Sequence, residues 1–308
     1  MAEVTGTPPV EYTHAGGVNP QTQTDWQKNT VPSKSAPSIA KLLVTEWIGT
    51  FALVFAIVSG AYWWYPDFFA MGLTAGIAVA VLVSAFAGLG SGQFNPAISL
   101  GLLLGGRQSA LRTGLVILVQ LMAAILACFV LSSYLGANEN SQWIQRGPVD
   151  QTTGQQQVTI LEPIAAGTPR IPERVVFPEP LGQVPARTEP GSQRVSTLQG
   201  IVLETMLTFL WGLAVFAGMR RENRKWQGLL VGGAVATGIL VGGVFTGAAM
   251  NPARALGPAL VSGQWDFQII YWMGPMLGGA LAGVVCGHFL FPEEDEESAE
   301  APLTYPGQ

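Results

Sequence analysis

Six stretches of this 308-residue chain, at roughly 39–62, 68–90, 111–135, 198–219, 226–243 and 268–290, are long, apolar and nearly free of charge. Each is about twenty residues, and a helix of that length spans the roughly 30 Å hydrocarbon core of a bilayer. No water reaches the backbone at that depth. Every N–H and C=O must be satisfied internally, which a helix achieves within one segment. Composition agrees, since only 11% of the residues are charged, against about 25% in soluble domains. The expected class is an all-α membrane protein whose first partner is the lipid bilayer.

Charge orients the spans. Arg107 and Arg112 flank the connection at 105–112, and Arg220, Arg221, Arg224 and Lys225 crowd the one at 219–226. Lys28 and Lys34 precede the first span and Lys41 lies at its start, whereas GAYWWYPD at 60–67 has no basic residue. Basic residues gather on the cytoplasmic side, so both termini are expected there, in the cell membrane, with the long connection 136–197 outside. Residues 1–37 and 291–308 read as tails, the second carrying the acidic run PEEDEESAE, and 38–290 reads as the membrane body. The two cysteines, Cys128 and Cys286, both fall within spans. No disulfide framework, metal-ligand cluster, phosphate-binding loop or nucleophile–base pair is evident, and His14 and His288 are isolated. The expectation is therefore no enzyme, no cofactor, no metal and no nucleic-acid partner.

The chain repeats itself. Glu46 opens EWIGTFALVFAI in the first span and Glu204 opens ETMLTFLWGLAVFA in the fourth. Asn95-Pro96-Ala97 and Asn251-Pro252-Ala253 then recur at matching distances. Each half holds three spans, so the second copy is inverted relative to the first. Inverted repeats with broken helices place a functional site near the bilayer midplane. Two readings of Glu46 and Glu204 stand: interfacial carboxylates that snorkel, or buried ones that accept hydrogen bonds from irregular backbone. The repeat favours the second.

Asn is a preferred N-cap and Pro suits the first helical position. NPAISLGLLL and NPARALGPAL each predict a half-helix of about nine residues, or ~14 Å. Entering from opposite faces, they would meet N-terminus to N-terminus and complete one span between them. A capping Asn spends its side-chain oxygen on the helix and keeps its NH2 to donate. Asn95 and Asn251 are thus expected to face a common pore, with the two positive dipole ends adding a barrier to cations. Asn19-Pro20-Gln21, in the polar N-terminal tail, reads as a turn.

On both motifs, the NPARALGP extension, the paired glutamates and YWMGPMLGG at 271–279, the chain resembles the aquaporin, or major intrinsic protein, family over about 40–290, apart from 136–197. The resemblance implies six transmembrane helices plus two re-entrant half-helices, one pore per subunit in a homotetramer, and passive passage of water. It also implies a selectivity filter at Ala75, Ile239, Ala248 and Arg254. Strict water channels resemble one another in an aromatic and a histidine where this chain has Ala75 and Ile239, so a wider, more apolar filter is expected. Gln93 stands where a histidine is frequent. Ala255 and Ala259 replace the acidic and basic residues of glycerol facilitators, and Tyr271-Trp272 follows the water-channel pattern. Ala248 occupies the family's usual mercury-sensitive cysteine position, so weak inhibition by mercurials is expected.

The leading function is a passive channel for water and other small neutral solutes that excludes ions and protons. A glycerol, urea, ammonia or metalloid-acid facilitator is the alternative, with a coupled transporter and a structural junction protein behind it. The Pro- and Gln-rich connection 136–197 has two readings, a loosely ordered linker, or a lid or intersubunit contact over the outer vestibule, with VTILEPI and RVVFP as candidate strands.

Overall fold

The computed structural model describes residues 38–64, 67–86, 89, 92–135, 168–169 and 195–292, and the backbone of 143–149 and 156–161. The N-terminal tail, the RVVFP segment and the acidic run from Glu293 onward lie outside the described residues.

Among the described residues, six helices are long and apolar enough to cross a membrane. They are α1 (Ile39–Trp64), α2 (Phe68–Phe86), α4 (Ala110–Leu135), α5 (Thr197–Met219), α6 (Gln227–Thr246) and α8 (Gln268–Val284, prolonged by a π-helical turn Val285–Leu290). Two shorter helices, α3 (Pro96–Leu104) and α7 (Pro252–Ser262), follow the Asn-Pro pairs. The first has the expected nine residues and the second has eleven. That extra half-turn is notable because α7 contains Pro258, which removes the N–H that would bond the carbonyl of Arg254.

Local chemistry sets the helix ends. Asp67 Oδ1 accepts the backbone N–H groups of Phe69 and Ala70, both at 3.0 Å, and so caps α2. Ser196 and Gln199 form a reciprocal capping box at the start of α5. The second span ends at Phe86, four residues before the expected boundary, and Gly92 has φ 129°. The fifth runs three residues further than expected and closes on Gly247, whose left-handed conformation suits a glycine after a helix.

Packing follows the repeat. Helix α1 packs on α4 as α5 packs on α8, and α1 on α2 as α5 on α6. Across the halves, half-helix α3 lies on α8 and half-helix α7 on α4, while α2 and α6 pack on each other. Exchanging the two halves returns the same set of contacts. Small residues permit the cross-half approaches, as expected where lipid supplies no hydrophobic drive between helices. A Cβ added at Gly232 would stand 2.4 Å from the carbonyl oxygen of Gly76, and one at Gly279 only 2.0 Å from that of Ala97. Large apolar side chains such as Leu73, Ile77, Val81, Leu229, Leu240 and Val241 remain exposed, which fits a surface that meets acyl chains. Trp63 and Trp64, at the end of α1, are exposed as an interfacial belt requires.

The long connection carries a two-stranded antiparallel ladder, β1 (Trp143–Val149) on β2 (Gln156–Leu161). Trp143 pairs with Leu161 and Arg146 with Val158, and the register shifts between Arg146 and Val149. Gly147 and Pro148 occupy that irregularity, where a proline costs no ladder bond. The second strand overlaps the candidate VTILEPI. Strand β1 had no expectation, because Gly147-Pro148 interrupts its pattern. Downstream, Thr168 and Pro169 are buried. The membrane body is thus all-helical, with a small hairpin added outside it.

Candidate functional site: two half-helices meeting end to end

Each Asn-Pro pair begins a helix. Asn95 Oδ1 accepts the N–H of Ala97 at 2.9 Å, and Asn251 Oδ1 accepts those of Ala253 at 3.0 Å and Arg254 at 3.3 Å. Proline at the first helical position forfeits only an N–H that had no intrahelical partner.

The two caps are tied to each other. Asn95 Nδ2 donates to the carbonyl of Met250 at 2.8 Å, and Asn251 Nδ2 donates to the carbonyl of Phe94 at 2.9 Å. Each asparagine therefore grips the residue just before the other. This refines the expectation of a free NH2: one hydrogen of each carboxamide is spent on the opposite arm and one remains. Both side chains are almost wholly buried.

The grip requires strained backbone. Phe94 has φ 50° and Met250 φ 52°, and Gly92 and Ala248, each three residues before an asparagine, also have positive φ. A non-glycine residue held there costs on the order of 1–3 kcal/mol. The compensation comes from the glutamates. Glu46 Oε1 accepts the N–H groups of Gly92 (3.1 Å) and Gln93 (3.0 Å), and Oε2 accepts that of Phe94 (2.8 Å). Glu204 Oε1 accepts the N–H of Ala249 (2.9 Å), and Oε2 that of Met250 (2.7 Å). Both carboxylates are fully buried, so interfacial snorkelling does not describe either.

Several supporting residues escaped the sequence reading, namely Gln120, Thr246 and Gln108, and two that it named, Gln93 and Tyr271, gain partners in the structure. Gln120, buried in α4, donates to Glu46 Oε2 at 2.8 Å and contacts the Ser99 hydroxyl of α3. Thr246 donates to Glu204 Oε1 at 2.7 Å and accepts the N–H of Ala248 at 3.2 Å. The Tyr271 hydroxyl donates to the carbonyl of Thr246 at 2.9 Å. A lone glutamine inside LVILVQLMAA was the available signal for the first of these. Gln93 Nε2 donates to Gln108 Oε1 at 2.6 Å, and Gln108 continues to Thr113. The residue in the histidine position thereby anchors the link between α3 and α4.

Of the four residues expected to form a filter, Ala75, Ile239 and Ala248 lie in one buried apolar cluster with Phe94 and Met250. Ile239 faces α2, where a Cβ added at Gly72 would come 3.5 Å from its Cγ2. Arg254 is outside that cluster. Its side chain is buried, within electrostatic reach of Glu204, and its Nε and Nη1 find no protein acceptor among the described residues. Cys128 and Cys286 are free and buried.

Six spans among the described residues, an inverted pair of half-helices and polar caps bound head to head are the architecture of a membrane channel. The family model described as Major intrinsic protein matches residues 32–286. Aquaporin TIP4-1 of Arabidopsis thaliana is 34% identical over 87% of this chain and 94% of its own length. Aquaporin TIP4-4 of Zea mays is 33% identical over 74% of this chain and 77% of its own. The aquaglyceroporin of Plasmodium falciparum shares the fold, with a TM-score of 0.62 at 17% identity over 82% of this chain and 97% of that one. The chain belongs to the major intrinsic protein family. It is a multi-pass membrane channel of the passive water or small-solute class, and it is not an enzyme.

Proposed function

We propose that this channel has a permissive filter and conducts small uncharged solutes such as glycerol, urea or ammonia alongside water. The observation that carries this reading is the chemistry of four positions. The side chains of Ala75, Ile239 and Ala248 offer no ring and no hydrogen-bond donor, and the buried Arg254 Nε and Nη1 have no protein acceptor among the described residues. A solute passing Arg254 would receive hydrogen bonds from it and meet apolar surface elsewhere. In this reading Asn95 and Asn251 each aim their remaining N–H at the passing molecule. The half-helix termini at Pro96-Ala97 and Pro252-Ala253 direct positive dipole ends there, opposing cations and protons. Glu46 and Glu204 hold the two arms in shape.

The same proposal covers the setting. Four copies assemble as a homotetramer, each with its own pore, in the cell membrane, with both termini cytoplasmic. Residues 1–37 and 291–308 are tails on a channel body at 38–290, into which 136–197 is inserted. The likeness to the Plasmodium protein concerns fold alone and does not choose a solute.

Stopped-flow light scattering on proteoliposomes tests the filter, comparing water with glycerol, urea and ammonia. Fast water flux accompanied by flux of at least one of the three is expected. Water flux with strict exclusion of all three would overturn the permissive filter and leave the channel class standing.

A further inference from the structure

Gln93 stands two residues before Asn95, and the matching position before Asn251 is Ala249. One arm therefore carries a polar side chain where the other carries a methyl group. Gln93 is only 6% exposed, and its Nε2 donates to Gln108 Oε1. Its own Oε1 is buried and has no partner among the described residues. An amide oxygen left unpaired in a membrane interior is costly, so its presence calls for a physical cause.

The free end of Gln93 is an oxygen because the neighbouring bonds have a fixed direction. The Thr113 hydroxyl lies 3.0 Å from the carbonyl of Ser109, which can only accept, so the hydroxyl donates its one hydrogen there. It must then accept from Gln108, whose Nε2 stands 3.0 Å away. That turns Gln108 Oε1 toward Gln93, and Gln93 has to present its NH2. Half a turn of the Gln93 amide would set two carbonyl oxygens against each other. The chain from Thr113 through Gln108 thus holds Gln93 Oε1 as the unspent acceptor.

Its place in the fold gives that acceptor a use. The half-helices leave the centre in opposite directions, α3 toward the connection that carries Gln108 and α7 with Arg254 in its first turn. Gln93 and Arg254 therefore flank the asparagine pair from opposite sides. The backbone amides of residues 92–94 are all taken by Glu46, so this stretch of the arm keeps acceptors to offer and no amide donor. A water whose oxygen accepts from Asn95 or Asn251 has both hydrogens left to give. The next polar group it meets should be an acceptor. We propose that Gln93 Oε1 is a specificity-determining acceptor for the conducted molecule, taking an O–H or N–H hydrogen from water, a small alcohol or a small amide on the Gln108 side of the asparagine pair. This rests on the reading of Asn95 and Asn251 as lining the passage.

Two measurements on the full chain test it. In proteoliposomes, Gln93→Leu should slow water about fivefold, as loss of one hydrogen bond in the path would. Gln93→Glu keeps an acceptor but cannot donate to Gln108, and it should retain more than half of the flux. Equal loss in both variants would assign the effect to the broken tie to Gln108 and overturn the proposal, as would unchanged flux in Gln93→Leu. Absence of water flux in the unaltered protein would instead remove the reading on which the proposal rests. The second measurement needs no variant. A cryo-electron microscopy map in lipid nanodiscs that resolves water at Asn95 and Asn251 should show one within hydrogen-bonding distance of Gln93 Oε1. Water at the asparagines with none at Oε1 would overturn the acceptor.

Discussion

The two arms that meet at the centre share a skeleton and differ in their helpers. In the first, Glu46 serves three backbone amides and the side chain of Gln120, which reaches across from α4. In the second, Glu204 serves two amides and the hydroxyl of Thr246, which Tyr271 braces from behind. Backbone features are matched: positive φ before each asparagine, a proline start and a reciprocal carboxamide bond. Differences concentrate in side chains next to the motifs, with Arg254 after the second and Gln93 before the first. The lesson is that the repeat preserves a mechanical frame. Each copy satisfies the same backbone demands with different polar atoms, and this frees neighbouring positions to diverge.

Removing the carboxylates should break the comparison most. Glu46→Ala leaves three amides and Gln120 without their acceptor, and Glu204→Ala leaves two amides and Thr246. Each loss is expected to cost roughly 3–5 kcal/mol, with Glu46→Ala the worse. Thermal unfolding in detergent measures both, and a larger loss from Glu204→Ala would reverse the ranking of the two arms. Next come Asn95→Ala and Asn251→Ala. Each deletes a cap and one cross-arm bond, at about 2 kcal/mol together. If the arms depend on each other, the double variant will cost less than the two single variants added. Strict additivity would show that the reciprocal bonds are independent.

Ala75→Phe addresses the filter rather than the frame. A ring placed there should slow glycerol or urea about tenfold, a barrier rise of roughly 1.4 kcal/mol, with water flux largely kept. Equal slowing of water would indicate general blockage of the pore. A smaller effect is expected from Tyr271→Phe, which deletes one hydroxyl behind Thr246 and should lower stability by about 1 kcal/mol. Mercurials should act least of all, because Cys128 and Cys286 are both buried, Cys128 in a closed apolar cluster with Ala253. Potent block that survives replacement of both cysteines would contradict this.

The sequence made the six spans, the inverted repeat and the half-helix starts legible for local reasons. Helix length, hydropathy and Asn-Pro capping chemistry act over a few neighbouring residues, and lipid leaves the backbone few alternatives. The fifth span's boundary shifted because the helix closes on a left-handed glycine, Gly247. The hairpin at 143–161 was half legible, because β2 has strand-like residues while Gly147-Pro148 interrupts β1.

Tertiary structure alone decided which polar groups meet. Nothing local says that Asn95 reaches the carbonyl of Met250 or that Gln120 completes the shell around Glu46. Those partners come from distant parts of the chain. In a membrane interior, a buried donor or acceptor left unpaired is costly enough that long-range packing selects its partner. The chain's local pattern determined that it would be a membrane-spanning inverted repeat, and three-dimensional packing decided how its two halves hold each other at the centre.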